Sequence, residues 1–214
     1  MGILASAVID SSIEIVHVSG DIIFNATGGL IHPVTPEIGG LLGKTQRADI
    51  LNVSVGVTID AFVKGNAYSH LDVGGINGNH FQSTLKNANV TGIITGHAAG
   101  ASAQIGGVVG DNWSIIQNAF ADTIVTAEIS VKHSNSVARA GLIIGVGDPN
   151  GNISDSLGFG EVHLKLHPES WGSTSGVFGR NSGLIENIYF ASSVVATKDG
   201  EEFSINPTWM YETN

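Results

Sequence analysis

The chain has 214 residues, of which 42% are hydrophobic and only 13% charged; 29 are glycine, 19 acidic, 9 basic and none cysteine. One domain's worth of length with so few charges excludes an ordinary helical bundle, whose exposed faces need lysine and glutamate in quantity, and also excludes a disordered polar chain. A net charge of −10 excludes a surface built to track phosphates, so nucleic acid is not an expected partner, and the lack of cysteine excludes a disulfide framework or a thiolate metal site.

From the N-terminus, Met1–Val8 lacks the charged stretch of a signal peptide, although Met1, Gly2 and Ser6 satisfy the loose pattern for myristoylation. No stretch approaches 18 consecutive apolar residues, so no membrane span is expected. Within residues 1–37, the run Ile13, Ile15, Val16, Val18, Ile22, Ile23 and Phe24 suffices for a strand pair or a degenerate first coil. These residues are expected to form an N-terminal strand region or cap.

From residue 38 a glycine-led apolar motif returns five times, with Gly40, Gly75, Gly107, Gly141 and Gly176 at intervals of 35, 32, 34 and 35. Downstream of each motif an aliphatic residue is followed two places later by a short polar one: Ile50 and Asn52, Leu85 and Asn87, Ile116 and Asn118, Ile153 and Asp155, Ile185 and Asn187. Several repeats close with clean alternation, as in Ala127–Lys132 and Glu161–Leu166, the period of a half-buried strand. A period near 34 also suits paired-helix repeats, and Ser114–Val125 is the best helical stretch. Its counterpart, Glu186–Val195, is rich in β-branched and aromatic residues, however, and glycines fall where helix interiors would be. The expected fold is therefore all-β, a parallel β-solenoid (β-helix) of about five coils over residues 38–197. Residues 198–214, with Pro207, Trp209 and Met210, break the pattern as a C-terminal cap or tail.

Asparagine tolerates the left-handed conformation, and its amide both donates and accepts, so Asn52, Asn87, Asn118 and Asn187, with Asp155 as the odd member, are expected to form an internal ladder. On that reading Asn118→Ala costs roughly 1–3 kcal/mol. Asn112, at an expected exposed turn, costs well under about 1 kcal/mol.

The stretches Gly106–Asn112 with Ile116–Asn118, and still more Ser175–Asn187, resemble the GLUG repeat, whose pattern runs Gly-Gly-Leu-Val-Gly, Asn, a small residue, an apolar residue, any residue, Asn. The resemblance covers about residues 38–195 and is loosest in the second repeat, where Asn77 replaces an aliphatic residue, and in the fourth, which carries insertions. It implies a right-handed parallel β-helix of the kind found in large bacterial surface proteins. These include adhesins similar to filamentous haemagglutinin and non-catalytic regions of immunoglobulin-A-specific metallopeptidases. The implied role is a non-enzymatic, extracellular, adhesin-like binding or spacer module of a bacterial or phage surface protein, with a host or surface glycan or protein as partner. A carbohydrate-active β-helix enzyme, lyase or hydrolase, is the alternative. The family supplies no catalytic residues to carry over.

Candidate chemistry is sparse. Asp111 and Asp148 fall at comparable corners of successive coils and are the one carboxylate pair expected to approach. The loop Asp148–Asp155 has oxygens at its first, third and fifth places but glycine fourth and Phe159 where a bidentate glutamate belongs, leaving room only for a weak, non-EF calcium site and no other cofactor. His163 and His167 share a strand face with Lys165 between them, which repels a metal. Trp113 and Trp171, large aromatics in turns, are the ligand-binding candidates, at different corners of the coil.

Overall fold

In the computed structural model, which describes residues 1–28, 32–131 and 136–203, every regular element is a strand. An incomplete N-terminal coil, not counted among the numbered coils, holds β1 (Ala5–Ile9) and β2 (Ser12–Thr27). The five coils after it hold β3 (Glu37–Gly39), β4 (Leu42–Gln46) and β5 (Asp49–Lys64); β6 (His70–Gly74) and β7 (Asn77–Ala99); β8 (Ser102–Gly106) and β9 (Val109–Val131); β10 (Val137–Gly141), β11 (Ile144–Gly147) and β12 (Asn152–Leu166); and β13 (Trp171–Ser173), β14 (Phe178–Asn181) and β15 (Leu184–Lys198). Each strand pairs in parallel with its counterpart one coil on, giving a five-stranded sheet of β3, β6, β8, β10 and β13 and a larger sheet of the long strands. This is the expected β-solenoid of about five turns, with a period close to 35 residues. Among the described residues the one antiparallel pair joins β15 to β16 (Glu201–Glu202) through Asp199 and Gly200, both left-handed. The expected cap residues Pro207, Trp209 and Met210 lie outside the described residues.

The core is a set of columns, one residue per coil. Ile50, Leu85, Ile116 and Ile153 stack in register and are fully buried, and Ile38, Val73, Ile105 and Ala140 do the same in the smaller sheet. The recurrent glycines serve close approach rather than unusual dihedrals, since only Gly176 among the motif's second glycines has a φ in the left-handed range. Short strand folds against short strand so tightly that a Cβ on Gly39 would lie 2.0 Å from the Leu42 carbonyl oxygen, and one on Gly78 2.2 Å from the Ile38 nitrogen.

Left-handed dihedrals belong instead to the recurrent asparagines. Asn52, Asn87, Asn118, Asp155 and Asn187 have φ of 52–56°, a conformation that Asn and Asp adopt more readily than other non-glycine residues. Their side chains do form a ladder: Asn87 Nδ2 donates to Asn52 Oδ1 at 2.8 Å, Asn118 Nδ2 to Asn87 Oδ1 at 2.7 Å and Asn187 Nδ2 to Asp155 Oδ1 at 2.9 Å. The ladder runs outside the coil, however, and all five residues are exposed. The expectation of an internal ladder is corrected because the left-handed residue turns the chain at a corner and breaks the alternation, so that Ile50 and Val53 point inward and Asn52 outward. Asn112, expected at an exposed turn, is fully buried; its Nδ2 donates to the Ser114 carbonyl at 3.1 Å.

Candidate functional site

Gln46, Phe81 and Trp113 occupy one row across β4, β7 and β9. Just past this row the second coil has Gln82 in the left-handed region, as the first has Arg47, whereas the third is a residue shorter and the ladder slips between Phe81 and Thr84. The slip leaves the Trp113 indole beside a groove of about 480 Å³ whose polar walls include Arg47, Asp49, Gln82 and Asn150. Two contacts fix the indole. Its Nε1 donates to Asp111 Oδ2 at 2.9 Å, its ring packs on Phe81 at 6.2 Å and 57°, and 39% of the residue remains exposed. Arg47 is held by a two-pronged pair with Asp10 at 2.5 and 2.7 Å, and Asn150 by Asp148 Oδ1, which accepts from both its backbone and side-chain nitrogens.

Beneath the groove a polar cluster interrupts the core. His80 Nδ1 lies 2.7 Å from Thr45 Oγ1 and 3.1 Å from Asn77 Nδ2, and Nε2 lies 3.4 Å from the Ile115 carbonyl. Full burial pushes the imidazole down to about 4, keeping it neutral. Beside the groove, burial and the Asp72 carboxylate push Asp111 up to about 6, partly offset by the Trp113 hydrogen bond.

Of the two candidate tryptophans, Trp113 lines the groove, while Trp171 stands 75% exposed at the start of β13 on the smaller sheet, so they share no site. Asp148 is a minor influence on Asp111; the carboxylate that matters to it is Asp72, one coil back. The Asp148–Asp155 loop does not converge: Asp148 binds Asn150, whereas Asp155 accepts from Asn187 and Gln117 in the outer ladder. His163 Nε2 sits 2.9 Å from Glu161, and His167 Nδ1 accepts from the Glu169 nitrogen at 3.4 Å. Among the described residues no three His, Asp or Glu side chains gather as a metal site. His80 and Asp72 were not singled out from sequence. The signal available was their place in the repeat: Asn77, an acknowledged departure from the glycine motif, lies between them.

Set against protein-family models, curated proteins and solved structures, the chain matches none.

Proposed function

We propose that the protein is a non-enzymatic, extracellular binding module of a bacterial or phage surface protein, a rigid solenoid that presents the Trp113 groove to a glycan. The observation that carries this reading is the groove's composition: a half-exposed indole, steadied by Asp111 and Phe81, flanked by Arg47, Asp49, Gln82 and Asn150. An aromatic face covers the apolar face of a pyranose, while planar amide, carboxylate and guanidinium groups pair with its hydroxyls. The resemblance of Ser175–Asn187 to the GLUG repeat supports the surface setting. A second reading, a carbohydrate-active enzyme, is favoured by Asp111 alone, a carboxyl bonded to the groove's indole and held up near 6, as a general acid needs.

Glycan-array screening followed by titration of tryptophan fluorescence tests the proposal. Trp113→Ala should weaken binding at least about tenfold, the scale of losing one aromatic anchor, while Trp171→Ala leaves it unchanged. Binding untouched by Trp113→Ala overturns the groove assignment, and release of reducing ends or unsaturated uronates from the bound polysaccharide transfers the case to the enzyme.

A further inference from the structure

The crease between the short strands holds a second polar stripe. One row runs Glu37, Asp72, Gln104, Arg139 and the other Lys44, Asn79, Asp111, Val146, each residue paired with the next coil's in the ladder. In the first coil the two rows face each other closely enough for Lys44 Nζ to lie 3.3 Å from Glu37 Oε1. By the same register Asp72 stands opposite Asn79 in the second coil and Gln104 opposite Asp111 in the third, with no lysine or arginine in either pair. Asp72 is fully buried, and neither of its oxygens accepts a hydrogen bond; its nearest cationic partner is His70 Nε2 at 3.4 Å. Asn79 Oδ1 and Gln104 Oε1 are likewise buried and without a donor. Asp111 feels the Asp72 charge and has one oxygen occupied by the Trp113 indole.

Buried acceptors without donors are costly; Asp72, Asn79 and Gln104 are three such side chains on two adjacent coils, and with the Asp111 carboxylate whose charge Asp72 meets they share one need, a positive charge among oxygens. We propose that Asp72, Asn79, Gln104 and Asp111 bind one hard divalent cation, calcium in preference to magnesium, which clamps the second coil to the third. Two carboxylates and two amide oxygens, completed by water, make the oxygen-only, flexible shell that calcium takes, and amides stand where a third acid would otherwise be needed. Magnesium's tight octahedron suits such a mixed set poorly. Lys44 and Arg139 close the stripe on either side, which confines the site to these two coils. This inference does not rest on the glycan reading, with which it shares only Asp111, the holder of the Trp113 indole, and it concerns different residues from the Asp148–Asp155 loop.

The test uses the full chain stripped with a chelator. Terbium should give saturable luminescence excited through Trp113, whose indole nitrogen is 2.9 Å from Asp111 Oδ2, and calcium should displace it with an affinity in the range of roughly 10⁻⁴–10⁻³ M of extracellular modules. Calcium at about 10 mM should raise Tm by a few degrees, and magnesium should not. Asp111→Asn and Gln104→Leu, the latter removing a ligand without changing charge, should each weaken calcium at least tenfold with the circular dichroism unchanged. Asp148→Asn should leave the affinity as it is. Absence of saturable terbium emission together with a Tm indifferent to calcium overturns the proposal, as does calcium binding that survives both ligand variants or falls with Asp148→Asn.

Discussion

Asn118 and Asn112 exchange the roles that the linear repeat suggests. Asn118 is exposed, but it holds φ of 54° and donates to Asn87, so Asn118→Ala loses one solvated hydrogen bond and gains left-handed strain, about 1 kcal/mol. Asn118→Gly, which removes the strain, should cost less than Asn118→Ala. Asn112 is fully buried and donates to Ser114; Asn112→Ala leaves that carbonyl unpaired beside a cavity and should cost about 2 kcal/mol. Urea midpoints that rank Asn118→Ala below Asn112→Ala in stability contradict this placement. The ladder's own column continues to the incomplete N-terminal coil, where Ile15 sits at the Asn position with φ of 55° and 71% exposure. A β-branched residue is strained there and brings no amide. Ile15→Asn relieves the strain and offers Asn52 Nδ2 an acceptor in the sense of the three rungs described, so it should stabilise by about 1 kcal/mol, read as a higher denaturation midpoint.

At the scale of strands, the elements around the crease and the groove carry buried titratable groups whose effects oppose each other. His80, on β7, has its folded pKa lowered to about 4 by burial, so the unfolded chain binds more protons between about 6.5 and 4, and the stability contributed by the neutral ring is lost as pH falls through that window. Asp111, on β9, has its folded pKa raised to about 6, so the folded chain binds more protons between about 3.8 and 6, and its contribution is lost as pH rises through that window. Buried Asp72 is raised by desolvation, and its neighbour His70 is raised by the Asp72 carboxylate beside it; both act in the same sense as Asp111. The magnitude is on the order of 3 kcal/mol at fully buried His80 and about 2 at partly exposed Asp111. In chelator, Asp111→Asn should therefore gain on the wild type as pH goes from 4 to 7, and His80→Gln should gain as it goes from 7 to 4. Parallel urea titrations at the two pH values check both signs; equal differences at pH 4 and 7 for either variant would mean that its residue is not held as described.

The whole molecule was legible from sequence to the extent that stacking enforces repetition. Ile50, Leu85, Ile116 and Ile153 recur because each must meet its equivalent in the next coil, and that constraint writes the period into the chain. What stacking does not repeat stayed hidden. Strand logic puts residues two apart on one face, which placed Asn52 beside Ile50 inside, and only the corner's dihedral reverses it. Asp72 and His80 each occur once, so no periodicity marks them, and the groove depends on a single residue missing from the third coil. Nearest-neighbour stacking also sets the stability profile. In a solenoid each coil is held by the coils on either side, so an end coil is held once and a middle coil twice. The burial follows: along the 16 residues of β2 only Ile22 is buried and along the 15 of β15 only Ala196, whereas inward positions from Leu85 to Ala98 in β7 and from Ile116 to Ile129 in β9 are mostly buried. Local opening draws on the regions with the least buried apolar contact. Native-state hydrogen exchange should accordingly show amides of Val90–Ile94 and Ala121–Val125 exchanging slowest, near the limit of global unfolding. Amides of β2 and β15 should exchange at least about a hundredfold faster, a difference of roughly 2.8 kcal/mol in opening free energy. A flat profile, with β15 as protected as β9, would mean that the coils open as one cooperative block, and the pairwise account of this solenoid's stability would fail.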